Sequence, residues 1–431
     1  MRDTTSSCAR NDVIETLSGA QLTAWQTGRL REVTSHAYRE VPFYRKLWDR
    51  AGVEPGMLRS LEDLARFPTI SKHDLVQAGD CWTNPHQGPV AFSTRGTSGA
   101  PLLVWLSAEE EEAYIQPTMR GFRWAGFQSG MTALLMSPVW HRLAACEAHA
   151  IARLGGRCAF FWGSMGAEFT DSFLHTLSSQ RPEFITTTAP FLLSLIRRSH
   201  GATSRPPHEL FKGVRSVVVV GLPLTPRMRE FLRDRLEVED VFERGGTQEG
   251  AAIDECRLHT APHVHEDVCY LEVLDDAGVR VAPGVRGRLI VTKLSTAGSV
   301  FVRYDTEDIA AFAAGECACG CGFCRLKIYG RPESSVLVGD RLITAYDVRM
   351  CIEEDPALLG RNVLLIREAN ARAGVLTVAV EGEARDPAKL QARLREQLGV
   401  ATAEVVWLGD LRVNWGFRQV LDRREIQLPR S

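Results

Sequence analysis

Two stretches of this 431-residue chain hold residue types whose spacing could do chemistry. Residues 92–104 read Phe-Ser-Thr-Arg-Gly-Thr-Ser-Gly-Ala-Pro-Leu-Leu-Val. Gly96 and Gly99, with the hydroxyls of Ser93, Thr94, Thr97 and Ser98, suit a loop whose backbone N–H groups and side chains wrap an anion. The same residues also build ordinary surface turns. No Gly-Lys-Ser/Thr follows, so this is not a Walker A loop. The second stretch is cysteine-rich: Cys317, Cys319, Cys321 and Cys324 fall within eight residues, a density that points to metal or redox chemistry rather than packing. Reduced, unpaired thiols and a redox-active pair in CGFC (321–324) are the competing readings.

The elements that must position these residues alternate in type. TALLMSPVW (132–140), RSVVVVGLPL (215–224) and RGRLIVTKL (286–294) are short, apolar, β-branched runs bounded by Gly or Pro, as buried strands are. FLHTLSSQ (173–180) and TPRMREFLRDRL (225–236) carry helical patterns between them. Leu17, Leu22, Trp25, Leu30 and Val33 predict helix over about 11–50 with a break at Pro42. Strand alternating with helix implies an α/β fold with a mainly parallel sheet. A small α+β module follows Gly330-Arg331-Pro332, with VRMCIEED (348–355), NVLLIREA (362–369), GVLTVAVEG (374–382) and the helical DPAKLQARLREQLG (386–399). The expected division is a large domain over 1–330 and a small C-terminal lid over 331–431.

Bulk properties exclude several classes. A net charge of -2 gives no long-range attraction to nucleic acid or an anionic membrane, and no apolar run approaches the roughly 20 residues of a membrane span. The polar N-terminus lacks a secretory core, and 11 cysteines, an odd number, argue against a disulfide framework. A cytoplasmic protein with small-molecule partners is expected, with a homodimer as one arrangement.

Residues 93–101 resemble the Ser/Thr-Gly-Thr/Ser-Thr/Ser-Gly-Lys-Pro loop of the acyl-adenylate-forming, AMP-binding enzymes. VPFYRKLWDRAGVEP (41–55), SLEDLARFPTISKHDL (60–75), RYDTED (303–308) and GRPES (330–334) are similar to segments of the phenylacetate–coenzyme A ligase branch, in the same order. The resemblance implies a large adenylate-forming domain with a small mobile domain. It also implies use of ATP and Mg²⁺ to activate a carboxylic acid, here an aromatic one, as an acyl-adenylate. Coenzyme A is the usual acceptor; an amine, a hydroxyl or a carrier thiol is the alternative.

The same resemblance assigns roles. Thr94, Gly96, Thr97, Ser98 and Gly99 would cradle phosphates, Asp308 would bind the ribose hydroxyls, and Arg331 would approach the ribose. In ERGGTQEG (243–250), Gly245 and Thr247 would face the nucleotide, and an acid would hold Mg²⁺. Gln248 stands where that acid belongs, so the role passes to Glu249. Cys256, His263, Cys317 and Cys319 match the Zn²⁺ ligands of the branch, a four-ligand and therefore structural site; His259, His265, Cys321 and Cys324 compete for it. Trp140, His141, Trp162 and Gly163 would line the acid pocket, where core packing is the competing reading. The family's catalytic C-terminal lysine is missing, since no lysine follows Lys389, and Ala100 replaces the loop lysine. Arg418 is the substitute cation. These losses leave a second reading open: a catalytically degenerate nucleotide- and zinc-binding relative with a regulatory or scaffold role.

Overall fold

The computed structural model describes residues 13–84, 88, 90–94, 101–136, 142–161, 167–202, 206–367, 374–409 and 419–422. Its architecture is α/β, as the alternation of runs predicts. The chain forms two compact units. The larger takes in residues up to Thr187, Gly213–Val220 and Val238–Lys327; the second takes in Thr188–Lys212, Gly221–Glu237 and everything from Ile328 onward.

The larger unit is built on a seven-stranded sheet. Its order is Arg157–Phe160, Thr132–Leu135, Phe184–Thr187, Ser216–Val220, Asp240–Gly246, Ala252–Asp254 and His263–Val264. The first five strands run parallel; Ala252–Asp254 turns back antiparallel against Asp240–Gly246, and His263–Val264 pairs antiparallel with Ala252–Asp254 in turn. Ser-Val-Val-Val-Val at 216–220 is buried at every position, as a strand covered on both faces must be. A four-stranded sheet, Cys269–Leu274, Gly287–Lys293, Tyr304–Phe312 and Leu326–Gly330, completes the scaffold.

The N-terminal helical stretch breaks at Pro42, as the sequence predicts, into two helices. Gly19–Glu40 opens on a Ser18 capping box and stops at Val41, where Pro42 starts a new helix, Pro42–Ala51, ended by Gly52 in the left-handed region. Both helices bury Leu30, Val33, Tyr44 and Trp48 against Phe67, Val300 and Phe301. The Tyr44 hydroxyl donates to Val300 O and accepts from Val302 N–H, both at 3.0 Å, which holds the segment leading into Tyr304–Phe312.

The second unit has its own core. Val348, Ile352, Leu365, Val378, Leu394 and Leu398 pack between a four-stranded sheet and the helices Ala345–Ile352 and Ala388–Leu398. The unit is not one continuous stretch of sequence. Arg197, on the helix Ala189–Ala202, donates to Gly360 O at 3.0 Å and pairs with Glu381, while Thr225, the N-cap of Pro226–Leu236, donates to Glu353. These contacts span more than a hundred residues, so a single division at 330 does not contain them. Among the described residues no helix is long and apolar enough to cross a membrane.

Candidate active site and metal centre

The hairpin Asp240–Gly246/Ala252–Asp254 carries one candidate site at its tip and another at its base. At the tip, Thr247 N–H donates to Ala251 O at 3.0 Å, and its Oγ1 accepts from Ala251 N–H at 3.3 Å. Gly246 and Gly250 flank the turn at φ 151 and 132, a region that glycine alone enters cheaply. Gly245 is the strand residue before it, and a Cβ there would already touch Ile253 at 3.0 Å. Glu249 is buried, and the buried Oε1 of Gln248 has no hydrogen-bond partner. The turn therefore offers a hydroxyl, a carboxylate and an unsatisfied amide oxygen, hard oxygen donors of the kind Mg²⁺ takes.

Asp308 is aimed by a bulge. Strand Tyr304–Phe312 slips register against Gly287–Lys293 between Arg288 and Ile290, so that Arg288 faces Ile309 while Ile290 faces Asp305. Within the bulge Thr306 Oγ1 donates to Leu289 O at 3.0 Å and accepts from Asp308 N–H at 3.1 Å. Glu307 takes φ 61 and Arg303 φ 51, conformations that a side chain rarely adopts. Arg303 is held there by a bidentate pair with Glu272 at 3.0 and 3.1 Å and by bonds to the carbonyls of Ala65 and Phe67. The sequence signals this role of Arg303 only through the arginine that opens RYDTED.

The phosphate-loop candidate is closed at its base. Strands Val90–Ser93 and Leu103–Leu106 pair antiparallel, Thr94 N–H donates to Leu102 O at 2.9 Å, and Thr94 Oγ1 accepts from Leu102 N–H at 3.0 Å. Gly96, Thr97, Ser98 and Gly99 lie outside the described residues, as do Trp140, His141, Trp162, Gly163 and Arg418. Arg331 belongs to the second unit. Its backbone is pinned by Ser334 and Ser335, and its guanidinium lies 3.9 Å from Glu333.

At the base of the hairpin, ligand atoms of Cys256, His263, Cys317 and Cys319 all lie within 4.8 Å of one another. Cys256 and Cys317 Sγ are 3.8 Å apart, and Cys319 Sγ lies 3.4 Å from His263 Nε2. Bonds of about 2.3 Å to sulfur and 2.0 Å to nitrogen at tetrahedral angles set such pairs about 3.8 and 3.5 Å apart. The four residues fit one tetrahedral cation. His263 Nδ1 donates to Phe323 O at 3.1 Å; a carbonyl only accepts, so the Nε2 lone pair faces the site. The hydrogen bond to Cys319, then burial, pushes the Cys256 thiol well up, so thiolates here need a cation to balance them.

The competing ligands are occupied elsewhere. His265 Nδ1 accepts from the Arg120 guanidinium at 2.9 Å and its Nε2 donates to Asp254 at 2.7 Å. Burial lowers the affinity of this imidazole for a second proton. His259 faces Asp240 and Glu255 through its two nitrogens. Burial pushes the Cys321 thiol up to about 12 and the Cys324 thiol well above its ordinary value, the reverse of what a redox dithiol needs. Arg120 itself is buried among Glu15, Asp267 and the Phe323 ring, and Trp124 stacks on His265 at 5.3 Å.

Known proteins are similar to this chain in sequence and in fold. The sequence profile described as AMP-binding enzyme matches residues 80–299, half of the chain. The chain belongs to the AMP-binding enzyme family. It lies on the phenylacetate–coenzyme A ligase-like branch. It is 27% identical over 337 residues to the phenylacetate-coenzyme A ligase of Thermus thermophilus, covering 75% of this chain and 74% of that one. The Escherichia coli enzyme of the same name is 28% identical over 316 residues, 70% of each chain. Among solved structures, 2-hydroxyisobutyryl-CoA ligase with R3-HIB-AMP superposes with a TM-score of 0.84, covering 96% of this chain and 92% of that one at 21% identity. The amide bond synthetase McbA of Marinactinospora thermotolerans gives 0.54 over 75% of this chain and 65% of that one, at 20% identity. These structures share the fold. As a member of the family, the chain is an ATP-dependent, adenylate-forming acid ligase.

Proposed function

We propose that the enzyme activates an aromatic carboxylic acid and passes the acyl group to coenzyme A. A carboxylate oxygen forms the new bond to the α-phosphorus of ATP, and the bond to the bridging oxygen of pyrophosphate breaks. Two anions must meet, so the residues that matter neutralise charge and fix direction. Thr247 Oγ1 and the 93–101 loop would hold phosphate oxygens, and Asp308 would accept from both ribose hydroxyls. Bound at Glu249 and Gln248, Mg²⁺ would supply charge to the phosphates; Arg418 would supply the remaining positive charge. Thioester formation then follows: the thiol sulfur bonds to the carbonyl carbon and AMP leaves with its oxygen.

The observation that carries this reading is similarity to phenylacetate-coenzyme A ligases over about three-quarters of the chain, with the Thr247 turn and the Asp308 bulge inside it. Trp140, His141, Trp162 and Gly163 remain the proposed acid pocket. The proposed ion at Cys256, His263, Cys317 and Cys319 is Zn²⁺, in a structural role. The absent C-terminal lysine supports the degenerate reading as the second one.

ATP–pyrophosphate exchange across a panel of aryl acids, then product mass with and without coenzyme A, tests both. Exchange with an aryl acid and a thioester mass are expected. No exchange with any acid, despite ATP binding, would favour the degenerate relative. An amide or ester mass would replace coenzyme A as acceptor.

A further inference from the structure

Helix Ala108–Trp124 joins the two loops of the proposed nucleotide site. It starts directly after strand Leu103–Leu106, which closes the base of the 95–101 loop. Glu110, Tyr114 and Thr118, spaced i, i+4, i+8, fall on one face of the helix. All three touch the hairpin or what packs on it. Thr118 Oγ1 accepts from Arg244 Nη2 at 2.8 Å, and the buried Tyr114 hydroxyl donates to Gly250 O at 3.1 Å. Glu110 forms a buried ion pair with Lys293 Nζ at 3.0 Å, and Lys293 also donates to Ala297 O. The lysine stem walls the other side of Gly250: a Cβ there would lie 3.0 Å from the Tyr114 oxygen and 3.2 Å from Lys293 Cγ.

We infer that Tyr114 is a positioning residue for adenylation. Its hydroxyl fixes the Gly250 carbonyl, and Gly250 N–H in turn donates to Thr247 O at 3.3 Å, so the helix sets the direction of Thr247, Gln248 and Glu249. This inference rests on the assignment of the turn to the nucleotide.

The test is Tyr114→Phe in the full-length, metal-loaded enzyme, which removes one oxygen and keeps the ring. A lost hydrogen bond of ordinary strength corresponds to about a three- to tenfold change. Hydrogen–deuterium exchange over residues 245–252 should quicken by that factor, with other regions unchanged. In ATP–pyrophosphate exchange the KM for ATP should rise about three- to tenfold, with the KM for the acid unchanged. A merely structural role would lower kcat and leave KM for ATP alone; that result, or an unchanged turn, overturns the inference. If the wild-type enzyme activates no acid, the proposed function fails instead, and the deuterium measurement alone decides whether Tyr114 holds the turn.

Discussion

Gly121 offers a test in which helix propensity and packing predict opposite signs. It lies near the end of helix Ala108–Trp124, and replacing an interior helical glycine by alanine ordinarily stabilises by about 1 kcal/mol. Here the new methyl would lie 2.5 and 2.7 Å from the two carboxylate oxygens of Asp254. Asp254 cannot swing away freely: it accepts from His265 at 2.7 Å, lies 3.7 Å from Arg244, and is 4% exposed. Overpacking costs about 1–3 kcal/mol, and losing a charge-assisted hydrogen bond about 1.5–3 kcal/mol. Set against the propensity gain, Gly121→Ala should destabilise by about 1.5–5 kcal/mol. At about 2–4 °C per kcal/mol, the transition of the larger unit should fall by at least about 3 °C. Differential scanning calorimetry of the metal-loaded protein reads this directly. The decisive control is the double-mutant cycle. With Asp254→Ala making room, adding Gly121→Ala should be neutral or stabilising by up to about 1 kcal/mol. A Gly121→Ala protein as stable as wild type, or an equal cost in both backgrounds, would refute the reasoning.

Three further outcomes follow from the same geometry. Purified protein should carry about one tetrahedral cation per chain by elemental analysis, and Cys317→Ser or a strong chelator should remove it and lower the melting temperature, because structural sites contribute folding energy directly; full retention of metal by Cys317→Ser would contradict the ligand set. Asp308→Asn should raise KM for ATP about tenfold or more, since hydrogen bonds to a charged acceptor contribute about 1.5–3 kcal/mol, while a variant with unchanged KM would separate Asp308 from the ribose. Burial raises the Glu353 carboxyl above its ordinary value of 4.5, against the opposing hydrogen bond from Thr225. The protonated form is favoured on folding, so this contribution is complete below about pH 4.5 and is lost as pH rises through the folded value. Glu353→Gln keeps an acceptor for Thr225 and should gain stability relative to wild type as the pH rises above about 4.5; a parallel pH–stability curve for the two proteins would refute this.

Most of the scaffold was legible because its signals are local. Val217–Val220 reads as a strand, and Pro42 and Gly52 bracket a helix, whatever the rest of the chain does. The candidate metal ligands were legible through resemblance, and the structure brings the four together. What stayed hidden depends on contacts between distant residues. Arg120 meets His265 and Asp267 across 145 and 147 positions, and Gly121 is open only because Asp254 needs the space. Tyr114 meets Gly250 across 136 residues, a pairing no local pattern carries. The membership of 188–212 and 221–237 in the second unit is hidden for the same reason.

The wiring of the metal centre also has a consequence for synthesis. Cys256 and His263 leave the ribosome well before Cys317, whose sulfur sits beside that of Cys256 across 61 residues. At about 5–20 residues per second the delay is about 3–12 s. During that interval the strand His263–Val264 also lacks Cys324 O, which accepts from Val264 N–H, and stands as an open sheet edge. Delivery of residues 317–325 closes the edge and completes the ligand set in one step. Until then the exposed edge is open to chaperones and proteases, so slow or interrupted synthesis between His263 and Cys324 would register as lost protein.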